Sequence, residues 1–178
     1  MILTKTLSKM LKLNFIPESN LRDYSQVIDE YKKLWQDEGE KIVKVIEKIS
    51  NLKFQESEIN AIVYYGSLPS RSRPLCLMIK DSKERRLSIL IHELTHRIIS
   101  GNSKRERRKI ITSLEVHKTL FLILYDIWIE VYGKDFAKSA VEWEKNIPQE
   151  EYKKAWEWAL SFNKGGRARK FKEIMFRD

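Results

Sequence analysis

The chain has a single cysteine, Cys76, so no internal disulfide can form. A fold without covalent staples fits a reducing compartment, and a cytoplasmic protein is expected. Proline and glycine are scarce, four and six among 178 residues. That scarcity argues against a disordered chain and against an all-β fold full of tight turns. No apolar run is long enough to cross a bilayer, since the longest, Leu120–Ile129, is broken by Asp126. Met1–Met10 has only a short, interrupted apolar stretch, and no signal peptide is expected from it. No repeat or low-complexity tract is present.

Charge is abundant. Charged residues make up 33% of the chain and the net charge is +9, while 42% hydrophobic residues suffice for a core. One domain over residues 1–178 is expected, with an N-terminal helical segment (1–55) packed on the core and a basic tail at 164–178. The positive excess gathers in Ser103–Lys109 and in Lys164–Lys172. Neither run is interleaved with aromatics or carries a DNA-reading motif, so nucleic-acid contact is open but not favoured. These runs otherwise read as solvated faces or as a subsite for acidic peptide residues.

Periodicity predicts a mainly helical α+β fold with a small antiparallel sheet. Residues 1–16 read as a short amphipathic helix or as a strand at Leu11–Ile16, followed by a break at Pro17–Asn20. Helical spacing runs from Tyr24 to Ser50, with Gly39 as a kink or boundary. Ile59–Tyr65 and Leu75–Ile79 are β-rich and flank a loop, which predicts an antiparallel pair able to offer an edge to an extended peptide. Capping chemistry at Asp81-Ser82 opens a helix to about Ile99, with Gly101-Asn102 as its stop. A second helix is expected from near Lys104 to Val131, closed by Gly133. Asp135–Lys145 and Gln149–Phe162 follow, and Gly165-Gly166 breaks the chain before the tail. Trp128, Trp143, Trp156 and Trp158 sit at helical positions and are expected to be mostly core.

The most informative stretch is His92-Glu93-Leu94-Thr95-His96, which reads H-E-x-x-H on a predicted helix. Two imidazoles four residues apart share a helix face, and neutral imidazole is a good zinc ligand. Glu93 between them is placed to act as general base on a water activated by the metal. The bland alternative is a helix with two surface histidines.

A hydrolytic zinc site takes three protein ligands and leaves a fourth position open. The third must come from elsewhere, and Glu115 and His117 are the candidates. Glu115 follows His96 with eighteen residues between them, a spacing that bears on the resemblance given below. Helix geometry favours His117, which shares a face with Ile110, Leu114, Leu120, Phe121, Leu124 and Trp128. Glu115 lies about 160° away, beside Thr112, Thr119, Asp126 and Glu130, on the face expected to be wet. The preferred metal set is therefore His92, His96 and His117, with Glu93 catalytic.

The motif and the order of elements resemble the zincin metallopeptidases, including the small single-domain minigluzincins. The likeness in layout covers residues 59 to about 131, and His92, Glu93 and His96 match residue by residue. The eighteen-residue spacing resembles the glutamate-zincins related to aminopeptidases. The metzincin extension is absent, as Ile99 and Asn102 stand where Gly and His would be. The asparagine-glutamate pair of thermolysin-like enzymes is also missing, as Leu114 precedes Glu115. The resemblance implies a zincin-like active-site helix followed by a second, ligand-bearing helix, a Zn2+ cofactor and hydrolysis of a peptide or protein substrate. An oxyanion donor is required besides the metal, and Tyr64, Tyr65, Tyr125 and Tyr132 are candidates. The alternative from another class is a basic nucleic-acid- or protein-binding protein with a structural or vestigial zinc site.

Overall fold

A computed structural model of the chain describes residues 11–20, 22–66, 69–80, 82–103 and 112–176. The chain opens with strand β1 (Lys12–Pro17), then helix α1 (Ser25–Ser50), β2 (Glu58–Tyr64) and β3 (Leu75–Met78). Five helices follow: α2 (Lys83–Asn102), α3 (Ser113–Tyr132), α4 (Lys134–Lys145), α5 (Glu150–Leu160) and α6 (Lys164–Phe176). The mainly helical architecture with a small sheet is as expected. The N-terminal segment is not purely helical, because β1 forms one edge of the sheet.

The sheet is parallel, in the order β1-β2-β3, and this corrects the antiparallel expectation. Helix α1 carries the chain back between β1 and β2, which is the usual parallel crossover. Between β2 and β3 only residues 65–74 intervene. Fully extended they reach about 33 Å, ample to retrace a short strand of roughly 13 Å. Arg71 of that loop and Cys76 of β3 exchange both backbone hydrogen bonds, at 2.9 and 2.8 Å, so the antiparallel pairing is confined to the end of the loop and the start of β3. The strand pattern misleads because β1 and β2 are wet on one face, whereas β3 is buried at three successive residues. Leu13, Phe15, Ile59, Ala61 and Val63 point into the core. On the other face Glu58 accepts from Lys12 and Asn14, at 2.8 and 2.6 Å. Such alternation is the usual mark of antiparallel strands.

Helix α1 is unbroken through Gly39. A Cβ there would lie 2.7 Å from the Trp35 ring, so the glycine makes room for the indole one turn before it. Helix α2 starts at the Ser82 cap, whose Oγ accepts from the Arg85 N–H at 3.2 Å, and runs through Gly101 to Asn102. The expected start of the next helix near Lys104 lies outside the described residues.

Helix α3 is the centre of the molecule and packs on α1, α2, α4, α5 and α6. Leu120 to Leu124 are all buried, the signature of a helix surrounded on every side. One consequence corrects the wet face expected around Asp126. This carboxylate is buried and receives two hydrogen bonds from Arg167 of α6, at 2.9 and 2.8 Å. The basic tail expected at 164–178 is therefore a docked helix over Lys164–Phe176. Gly165 and Gly166 lie in its first turn, where the Gly166 N–H donates to the Asn163 side chain at 2.8 Å. Trp128 and Trp156 are fully buried, whereas Trp143 and Trp158 are partly so. No described helix is long and apolar enough to cross a membrane.

Candidate metal centre

Leu87, Leu90, Ile91, Leu94 and Ile98 bury one face of α2 against the core. That packing carries His92 and Glu93 inward with it, and both are buried. His92 and His96 lie one turn apart, with ring centroids 4.8 Å from each other. The third ring comes from α3. His117 lies 5.9 Å from His92 and 5.2 Å from His96, centroid to centroid. The three ligand-capable nitrogens fall within 4.8 Å of one another, so the group can hold a metal ion.

Glu115 takes no part in this cluster. It is exposed and closes a capping box at the start of α3. Its carboxylate accepts from the Thr112 N–H and hydroxyl, each at 3.1 Å, while the Glu115 N–H donates to Thr112 Oγ1 at 3.3 Å. The cap turns Glu115 back along the chain and leaves His117, half a turn later, facing α2.

Hydrogen bonds fix which nitrogen two of the rings offer. His117 Nδ1 lies 2.8 Å from the Ser113 carbonyl, which can only accept, so Nδ1 carries the proton and Nε2 the lone pair. His92 Nδ1 lies 2.7 Å from Glu144 Oε1. The other oxygen of Glu144 accepts from Trp156 Nε1–H at 2.9 Å. Glu144 is thus a buried carboxylate between two donors, and it leaves His92 Nε2 available. This is the arrangement by which outer groups orient metal-binding imidazoles. The donor set fits a zinc ion: three neutral-capable imidazoles with the far nitrogen of two already occupied.

Burial lowers the basicity of two rings. It takes His117 to about 4, with His92 adding to the effect. His96 is lowered well below the usual histidine value by burial, His92 and His117. For His92 burial acts in the same sense but is outweighed by the Glu144 carboxylate, and the net direction is upward. Burial raises Glu93 to about 7, against His92 and with Glu144. The carboxylate therefore sits where it can both take and return a proton near neutrality.

A cavity of about 270 Å³ opens beside His92 and Glu93, bounded by the end of β3, by α2 and by the turn between α4 and α5. Tyr152 lines it, with its ring 4.3 Å from His117 and 6.0 Å from His92. Burial, Glu144 and Glu93 all raise the Tyr152 pKa, so the phenol keeps its proton and can donate it in a hydrogen bond. Sequence reasoning missed this residue. None of the four tyrosines it named lines the cavity: Tyr65 packs on Tyr24, Tyr125 faces Arg167, and Tyr132 faces Phe136. Tyr64 does not line it either, and burial is the main cause of its raised pKa.

Of the basic runs, most of Ser103–Lys109 lies outside the described residues. In α6, Arg167 is spent on Asp126 and Lys170 pairs with Glu173 at 2.9 Å. Neither α1 nor α6 lines the cavity. Comparisons with protein-family models, curated proteins and solved structures find no match to this chain.

Proposed function

We propose that the chain is a zinc-dependent peptide hydrolase, with His92, His96 and His117 holding the ion and Glu93 as general base. The observation that carries this reading is the convergence of three imidazoles from two helices next to a buried carboxylate, at the wall of a cavity. When bound, zinc supplies Lewis acidity, bringing a water pKa to about 7 and polarising a carbonyl. The protein residues divide the remaining work. A Glu93 oxygen takes the proton of the attacking water and returns it to the nitrogen of the departing amine. The Tyr152 hydroxyl donates to the oxygen on which negative charge develops. Glu144 and the Ser113 carbonyl keep the rings in register.

The alternative, a structural zinc site in a basic binding protein, calls for a fourth protein ligand and a closed environment. The cluster has three members among the described residues, and a cavity adjoins it. The test pairs metal analysis with peptide turnover. The purified chain should carry about one zinc, and Glu93→Gln should retain it while losing hydrolysis. Full turnover by Glu93→Gln, or a chain that takes up no zinc, refutes the assignment.

A further inference from the structure

Among the described strands β3 is the last of the sheet, and its outer edge is closed by the chain itself. Cys76 exchanges both backbone hydrogen bonds with Arg71, at 2.9 and 2.8 Å, and the Met78 N–H donates to Ser70 Oγ at 3.0 Å. Residues 69–71 thus lie along β3 as a short antiparallel partner. This is how an extended peptide adds to the edge of a sheet. Pro69, Ser70 and Met78 line the same cavity as His92 and Glu93, so the closed edge borders the metal centre.

The attachment of this segment is thin. Besides those three bonds, the Ser70 hydroxyl meets the Tyr64 side chain, and the Arg71 guanidinium reaches Cys76 Sγ at 3.9 Å. Pro69 and Arg71 are exposed and Ser70 is half-buried, so the segment locks no side chain into the core. The residues that follow are anchored elsewhere. The Ser72 carbonyl accepts from Arg97 Nη1 at 2.5 Å, and Arg73 Nε donates to Ser100 Oγ at 3.0 Å, which ties that part of the loop to α2. Among the described residues, lifting 69–71 from β3 breaks the bonds to Tyr64, Cys76 and Met78 and leaves the anchors on α2 in place.

Resting on the hydrolase reading above, we infer that residues 69–71 are a built-in competitor of the substrate: they hold the edge of β3 that an extended peptide needs, and the peptide binds when they lift away. An arriving peptide takes over the hydrogen bonds of Cys76 and Met78. It also gains a place for a side chain in the apolar part of the cavity, at Ile89, Trp143 and Ile147. Its apparent affinity is the intrinsic one reduced by the fraction of chains whose edge is open. Recognition is through main chain, so a peptide with both ends capped is accepted.

The test reads peptide binding in Glu93→Gln protein supplied with zinc, so that turnover does not intrude. Arg71→Cys is added to face Cys76, the one cysteine of the chain. Partners in such a doubly bonded antiparallel pair stand about 5.5 Å apart at Cα, within the roughly 4.4–6.8 Å that a disulfide spans. Oxidation then locks the segment onto β3, and reduction frees it. The probe is dansyl-Ala-Ala-Leu-Ala-Ala amide, followed by its fluorescence. The reduced chain should bind it about tenfold more tightly than the oxidised chain. Equal binding in the two states, or none in either, overturns the inference. A second variant covers a disulfide that does not form: Ser70→Ala/Arg71→Pro removes the Ser70 acceptor and the Arg71 N–H. Each lost hydrogen bond shifts an equilibrium about two- to tenfold, so this variant should bind the probe about tenfold more tightly than its Glu93→Gln parent. Binding no tighter than the parent's overturns the inference as well. Wild-type turnover of the same probe judges the hydrolase reading separately. Redox-controlled binding without cleavage sinks that reading and leaves the competitor in place.

Discussion

Glu144→Gln is the most discriminating perturbation of the metal centre, because the substitution keeps the shape and changes only what the two oxygens can do. In the native chain both neighbours of Glu144 are donors, His92 Nδ1–H and Trp156 Nε1–H. A carboxamide has one acceptor oxygen and one donor NH2. If the oxygen faces His92, the indole N–H is left buried against another donor, at a cost of about 1–3 kcal/mol. If the oxygen faces Trp156, the NH2 forces His92 Nδ1 to accept. The ring proton then moves to Nε2, and the lone pair that a metal needs is lost. Either way zinc affinity falls, and the loss of an outer carboxylate typically costs about 10–100-fold.

The two orientations make a double variant informative. Trp156→Phe removes the competing donor, so in Glu144→Gln/Trp156→Phe the amide oxygen is free to face His92. Zinc affinity should recover part of the loss seen in Glu144→Gln alone, despite the smaller side chain. The assay is competition with a chromophoric chelator, with circular dichroism to verify that each variant is folded. A Glu144→Gln protein within threefold of wild type, roughly 0.7 kcal/mol, refutes the claim that Glu144 sets the His92 tautomer. A double variant that binds zinc no better than the single one refutes the donor-competition argument.

Tyr152→Phe should lower kcat by about 10²–10³ with zinc affinity unchanged, as expected for one oxyanion donor; an unaltered kcat on peptide substrates removes Tyr152 from the mechanism. Glu115→Ala should cost about 1 kcal/mol in urea denaturation through loss of the capping box, yet keep full zinc stoichiometry. Loss of zinc in that variant reassigns the third ligand. Arg167→Ala strands the buried Asp126 carboxylate and should destabilise the chain by about 3–5 kcal/mol, whereas Asp126→Leu/Arg167→Met should be much closer to wild type. Equal losses in those two proteins contradict the picture of a desolvated pair.

The parts of the fold that the sequence left illegible share a physical cause: each depends on what covers an element from outside. The apolar runs mark the strand positions but not their direction, because β1 and β2 alternate just as antiparallel strands do. The polar face of α3 was readable as polar, yet Asp126 is buried there because α6 lies over it. Nothing within α3 announces that cover. The tail itself read as solvated because its cations dominate, and only the pairing of Arg167 with a residue 41 positions earlier shows otherwise. Tyr152 escaped notice for the same reason, since its helix pattern does not reveal which neighbour its hydroxyl approaches.

The third imidazole was a different case, because a local signal for it existed. Thr112-Ser113-Leu114-Glu115 has the S/T-x-x-E form of a capping box ahead of an apolar run. Read that way, it starts α3 at Ser113 and commits the Glu115 carboxylate to the backbone of Thr112, which removes it as a ligand. With the helix phase set by that cap, His117 becomes its fifth residue and Leu120, Phe121 and Leu124 share its side. Extending the helix back to Lys104 obscured the cap by making Thr112 an interior position. The spacing from His96 pointed at Glu115, whereas the hydrogen-bonding needs of a helix end pointed at His117. In the structure His117 clusters with His92 and His96 while Glu115 caps its own helix, because an open first turn must satisfy its own N–H groups before a side chain beside it is free to reach elsewhere.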